Sequence, residues 1–176
     1  MKNKCPFNIA DLNNRIKLIE ILNLDPIKIK LLCSDDGPKW DRKKVDQVEK
    51  KYRQFLILNL KHSDHTIVPT KEIDIFWHSH ILDTMKYAED CQAIFERFLH
   101  HFPYFGMRGK EDAKNLQEAF ASTQQLFKEE FGETITEEHG DCKVSDCDAE
   151  QCSVAECHNR GVDRTRPTFG TEPVVA

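Results

Sequence analysis

Apolar residues recur along this chain at three- and four-residue intervals, and nowhere in the strict alternation of a half-buried strand. Asn8 or Asp11 can cap a first helix carrying Ile16, Ile19 and Ile21/Leu22. Pro26, a good first-turn residue, opens a second short helix with Ile27, Ile29, Leu31 and Leu32. Ser34–Pro38 (SDDGP) is a break. From Trp40 to about Leu60 a longer helix puts Val45, Val48, Tyr52, Phe55, Leu56 and Asn59 on one face. The polar stretch His62–Thr66 leads into Val68-Pro69, and Thr70 is a cap candidate with Glu72 and Asp74 in the following first turn. That helix is expected to run through about Tyr87. Another around Cys91–His101 carries Ile94, Phe95, Phe98 and Leu99. After the aromatic turn His101–Gly109, the spacing of Leu116, Ala119/Phe120, Thr123 and Phe127 predicts a last helix over Ala113–Phe131. The expected fold is all-α, a single compact domain of about five to six helices over residues 8–132.

Beyond Gly132 large apolar side chains become scarce, and Asp, Glu, Thr and Pro dominate. Such a segment cannot bury enough surface to offset chain entropy, so residues 133–176 are expected to be a disordered, low-complexity tail. Across the 176 residues, 39% hydrophobic and 31% charged content fits a soluble globular protein. The longest apolar runs, such as Phe55–Leu60, fall far short of a membrane span. The basic opening is followed by no apolar leader core, so no secretory signal is expected and the expected location is cytoplasmic. A net charge of −5 argues against nucleic acid as a partner.

The stretch around Trp77-His78-Ser79-His80 carries the most chemistry. Two histidines two residues apart on a helix point roughly 200° apart, so they do not chelate one ion together. His80 falls on the face of Ile73, Trp77, Thr84 and Ala88 and points inward; His78 lies on the flank one turn after Asp74, forming a carboxylate–imidazole pair. Two readings of His80 stay open. It is a core histidine hydrogen-bonded to a buried partner, or it is a metal ligand joined by Cys91 and by His100 or His101, with Asp83, Asp90 or water completing a zinc-type set. His80 and Cys91 are eleven residues apart, so the metal reading requires a bend near Ala88–Asp90.

The pattern Ile73-Asp74-x-x-Trp77-His78-x-His80-Ile81-Leu82, then Tyr87-x-x-Asp90-Cys91, then His101-x-Pro103 resembles the glycine-rich domain-containing protein-like family. This was formerly a domain of unknown function, found in plant glycine-rich domain proteins and in small stand-alone bacterial proteins. The resemblance covers about residues 10–131 and implies an all-helical domain but no well-established reaction. Only seven glycines occur, so the long glycine-rich region of the plant proteins has no counterpart here.

Seven cysteines without a secretory signal suggest thiols in a reducing compartment. Four of them, Cys142, Cys147, Cys152 and Cys157, stand at a five-residue period, a short internal repeat unlike a CxxC zinc motif. A flexible chain with this spacing can wrap several thiolates around zinc or copper(I), with His158 as an extra ligand. The acidic neighbours Asp141, Asp146 and Glu156 raise thiol pKa values, which favours metal-driven deprotonation over free thiolate reactivity. A tail that binds nothing is the bland alternative. Three functions follow: a helical scaffold that handles metal or thiols through the ladder and through His80, Cys91 and His101; a module that docks a protein partner without metal; and an enzyme using the Trp-His-x-His helix. The chain lacks a phosphate loop, a His-Glu-x-x-His motif and a nucleophile-elbow serine, which leaves the third with least support.

Overall fold

In a computed structural model, residues 8–33 and 37–136 are described. Among them the chain is all-α, with six helices and no strand: α1 (Ile9–Ile21), α2 (Asp25–Cys33), α3 (Arg42–Lys61), α4 (Lys71–Leu82), α5 (Thr84–Phe95) and α6 (Lys110–Phe131). No helix among the described residues is long and apolar enough to cross a membrane. The cysteine ladder, and the expected disorder from residue 137 onward, lie outside the described residues.

Local chemistry sets the helix starts. The Asn8 side chain accepts the Asp11 N–H at 2.9 Å, which places the cap of α1 at the first of the two candidates. The Asp41 carboxylate accepts the Lys44 N–H at 2.7 Å, so α3 starts just after Trp40. The expected apolar face of α3 is the observed one: Val45, Val48, Tyr52, Phe55, Leu56 and Asn59 are all buried.

The described residues form two compact units. The first holds residues 8–33, 37–65 and 72–100, with α1 packed on α3 and α5, and α2 on α3. Fully buried Ile19, Leu24, Ile27, Tyr52, Phe55, Phe76 and Trp77 belong to its core. Each large apolar side chain so buried contributes roughly 1.5–3 kcal/mol, and none of these contacts fixes direction. Charged side chains aimed at helix ends do. Arg53 on α3 donates to the carbonyls of Ile19, Glu20 and Leu22, the last at 2.8 Å, and pairs with Glu49 at 2.5 Å. It thereby supplies donors at the end of α1, where the helix runs short of backbone N–H groups for its last carbonyls. Arg15 on α1 acts likewise at the end of α5, donating to the Ile94 carbonyl at 2.9 Å and pairing with Glu96 at 2.5 Å. Glu96 is the left-handed cap of α5, with φ of 55°, a conformation that costs a non-glycine residue about 1–2 kcal/mol. Lys28 on α2 meets Asp46 and Glu49 on α3, each at 2.7 Å.

The second unit holds residues 66–71 and 101–136. The Val68 N–H donates to the Thr123 hydroxyl at 2.9 Å, and Thr123 donates to the Ala119 carbonyl at 2.9 Å. The aromatic turn before α6 closes on Asp112, whose carboxylate accepts from the Gly106 N–H at 2.7 Å and from Arg108 at 2.6 Å. Gly106 has φ of +93°, and a Cβ there would lie 2.5 Å from the Leu116 side chain, so only glycine fits.

Two expectations change: the separate helix expected around Cys91–His101 does not form, since Cys91–Phe95 is the end of α5 and residues 96–109 hold no helix. The helix from Thr70 does not run through Tyr87; it stops at Leu82, and α5 starts at Thr84 and continues past Ala88–Asp90 without the bend that the metal reading of His80 and Cys91 requires. Asp83 lies between them with φ of −84° and ψ of 73°. Thr84 and Ala88, expected on the buried face with His80, are therefore exposed.

Arg53→Ala is expected to lower the unfolding free energy by about 2 kcal/mol, since it removes charged hydrogen bonds to helix-end carbonyls. Arg53→Lys should recover only part of this, because one ammonium does not span three carbonyls. Urea denaturation followed by circular dichroism measures both.

Candidate functional site

The break at Asp83 makes the site. Residues ten apart in a continuous helix are about 15 Å apart along its axis. Here two pairs with that separation touch. Trp77 Nε1 donates to the Tyr87 hydroxyl at 2.8 Å, and His80 Nε2 lies 2.9 Å from Asp90 Oδ2. At the break the Asp83 N–H still reaches the His80 carbonyl at 3.1 Å, and the Tyr87 N–H reaches the Asp83 carbonyl at 2.8 Å. The turn therefore loses few backbone hydrogen bonds while α5 changes direction enough for Tyr87 and Asp90 to reach Trp77 and His80 on α4.

His80 is 1% exposed, and both its ring nitrogens are engaged. Nδ1 lies 2.8 Å from the Tyr52 hydroxyl on α3. An ionised Asp90 only accepts, so Nε2 carries a proton; in the neutral ring Nδ1 then accepts the Tyr52 O–H. The same Asp90 oxygen takes the Lys86 ammonium at 2.9 Å. Burial pushes the Asp90 carboxyl up, but the His80 and Lys86 hydrogen bonds outweigh it and the group sits below its ordinary value. The result is a relay Tyr52–His80–Asp90–Lys86 tying α3, α4 and α5 together.

The second rung continues inward. The Tyr87 hydroxyl accepts from Trp77 and donates to the Leu99 carbonyl at 2.5 Å. Burial drives both the Tyr52 and Tyr87 hydroxyls well above their ordinary values, so both remain protonated donors. Burial also raises the Cys91 thiol, more than its contacts with the Leu99 backbone and the Tyr87 hydroxyl lower it. Rings close the remaining space: His80 meets Tyr87 edge to face at 4.9 Å between centres, Tyr52 meets Phe76 at 5.0 Å, and Phe55 meets Trp77 at 5.1 Å.

The motif residues thus separate by place. Trp77, His80, Tyr87 and Cys91 belong to the buried interior of the first unit, and Asp90 is half-buried at its edge. Asp74 and His78 stand on its flank, with His78 Nε2 3.5 Å from Asp74 Oδ2. His100 rests on the Phe98 ring at 4.9 Å. His101 and Pro103 belong to the second unit. Zinc or copper(I) at His80 would have to displace the Tyr52 hydroxyl or Asp90.

Three members of the network were not read from the sequence as site residues: Tyr52, Lys86 and the Leu99 carbonyl. Tyr52 had a usable signal. A tyrosine centred on the apolar face of a long helix has a hydroxyl that needs a buried partner, and so does an inward histidine.

A family model described as UCP032817-like matches residues 14–143. The chain belongs to this family. Two Arabidopsis thaliana proteins resemble the UCP032817-like chain over 86 residues each: glycine-rich domain-containing protein 1 at 30% identity and glycine-rich domain-containing protein 2 at 31%. The matched stretch is 47% of this chain and 10% and 11% of those proteins, so the chain spans about a tenth of the length of these curated relatives. Their names specify a glycine-rich domain and no reaction. No solved structure matches.

Tyr52→Phe removes the donor to His80 Nδ1 and leaves a buried nitrogen unpaired, an expected loss of about 1–3 kcal/mol in chemical denaturation. Because the folded Asp90 carboxyl sits below its unfolded value of about 3.9, its contribution is full above that pH and fades as pH falls through the folded value. Asp90→Asn should therefore lower stability at neutral pH and flatten its decline in acid, as measured by denaturation midpoints across an acid series. In the native protein, iodoacetamide should modify exposed Cys33 and spare Cys91 until denaturant is added, as read by peptide mass spectrometry.

Proposed function

We propose that the UCP032817-like chain is a helical scaffold whose reactive part is the cysteine ladder, Cys142, Cys147, Cys152 and Cys157, which handles a soft metal such as zinc or copper(I), or thiols. The observation that carries this reading is the commitment of the helical body's own best candidate. Both nitrogens of His80 are spent on Tyr52 and Asp90, and the Cys91 thiol is buried and raised. A metal or redox role assigned to the chain therefore falls first on the four evenly spaced thiols. An enzyme acting through His80 has less support, since Tyr52 and His80 are 0% and 1% exposed and substrate contact would require the interior to open.

A second reading has its own observation. Leu82 and Met85, on either side of the Asp83 break, are 68% and 76% exposed, which suits a protein partner docking at this corner without metal.

Elemental analysis of full-length protein purified under reducing conditions is expected to find bound zinc or copper. The full-length variant with all four ladder cysteines changed to serine should hold less of it. Undiminished stoichiometry in that variant would sink the ladder reading and move the site to the helical body. A metal-free parent that captures a defined partner in chelator would favour docking instead.

A further inference from the structure

A separate group of imidazoles closes the C-terminal end of α3. His62 is the cap of that helix: its N–H donates to the Leu58 carbonyl at 2.8 Å, and its own carbonyl accepts the His65 N–H at 3.0 Å. The tight turn brings the two rings together, with centres 5.7 Å apart and planes at 86°. His65 Nδ1 lies 3.0 Å from Asp64 Oδ1, so one side of that ring is held by a carboxylate and Nε2 faces the opposite way. The group is not sealed: the side chains of His65 and Asp64 are 34% and 54% exposed.

Three features favour a cation here. Two imidazole nitrogens each about 2.0–2.1 Å from a tetrahedral metal place their ring centres roughly 5–6 Å apart. The observed separation already meets that requirement. A metal-bound histidine characteristically donates its other ring N–H to a carboxylate, which fixes the tautomer and strengthens the ligand; Asp64 stands in that position for His65. The last carbonyls of a 20-residue helix carry partial negative charge, which favours a cation beside the cap.

We propose that His62 and His65 form a site for a borderline divalent metal of the zinc class, with Asp64 orienting His65 through Nδ1. The ligands are neutral imidazoles, and two protein ligands leave positions for water or for a further ligand to the ion. The site uses none of the ladder cysteines and stands or falls independently of them.

The test uses the full chain carrying serine at Cys142, Cys147, Cys152 and Cys157, titrated with Zn²⁺ at neutral pH. Imidazole nitrogen and proton resonances are followed by NMR, and affinity by calorimetry. The ring signals of His62 and His65 are expected to move together with one saturating event. His62→Ala or His65→Ala should abolish that event, and Asp64→Asn should weaken it about tenfold or more, as loss of a second-layer carboxylate does. Ring signals of His62 and His65 that stay unmoved, or that move separately, would overturn the site. Unchanged affinity in Asp64→Asn would overturn the role of Asp64. Because the ladder is absent from this variant, neither outcome bears on the ladder reading.

Discussion

The hydrogen bonds from Trp77 to Tyr87 and from His80 to Asp90 require α4 and α5 to be two helices, and most of the first unit's internal order depends on that requirement. Nothing local forces the break: Ile81-Leu82-Asp83-Thr84-Met85 holds neither proline nor glycine. A continuous helix would instead carry Asp90 and Tyr87 about 15 Å from the groups they now satisfy. It would leave the Trp77 indole N–H and the His80 ring without these partners in an apolar interior, at about 1–3 kcal/mol for each unpaired group. The break itself forfeits little, since Asp83 stays hydrogen-bonded to both flanking turns. Tertiary pairing therefore outweighs local helix propensity at this point.

Arg15 and Arg53 extend the same logic to helix ends. Helix-end carbonyls lack intrahelical partners, and a guanidinium from a neighbouring helix supplies several donors in fixed directions. Arg53 fixes where α1 stops against α3, and Arg15 holds the left-handed cap at Glu96 where α5 stops. Apolar burial supplies the larger share of the energy, but these contacts decide register. The long side chains that do this read in sequence only as members of charged helix faces.

That difference explains what was legible. Periodicity and caps located α1, α2, α3 and α6 because each is decided within a turn or two: Asn8 and Asp41 cap their own helices, and Val45 to Asn59 follow one face. The inward direction of His80 and the flank position of Asp74 and His78 were legible for the same reason, since they depend only on helical angle. The placement of the break was not, because the deciding bonds join positions ten apart, and the acceptor for Tyr87 is a carbonyl twelve residues on. Tyr52 was visible as a core residue and invisible as the partner of His80, which is 28 positions away.

The same accounting separates imidazoles by what they can do. His80 meets two partners in a space filled by Tyr52, Tyr87 and Phe76, so its ring is a structural tie whose removal takes the imidazole partner from the Tyr52 hydroxyl and leaves Asp90 to Lys86. His62 and His65 stand at a helix end that attracts positive charge, with one ring already held by a carboxylate and reachable from solvent. A metal at His80 must first break its hydrogen bond to Tyr52 or to Asp90, whereas His65 is part-exposed with its Nδ1 already held by Asp64. Ligand type then sorts the ions. Thiolates of the ladder favour soft ions such as copper(I), while a two-imidazole site with open positions favours borderline divalent ions.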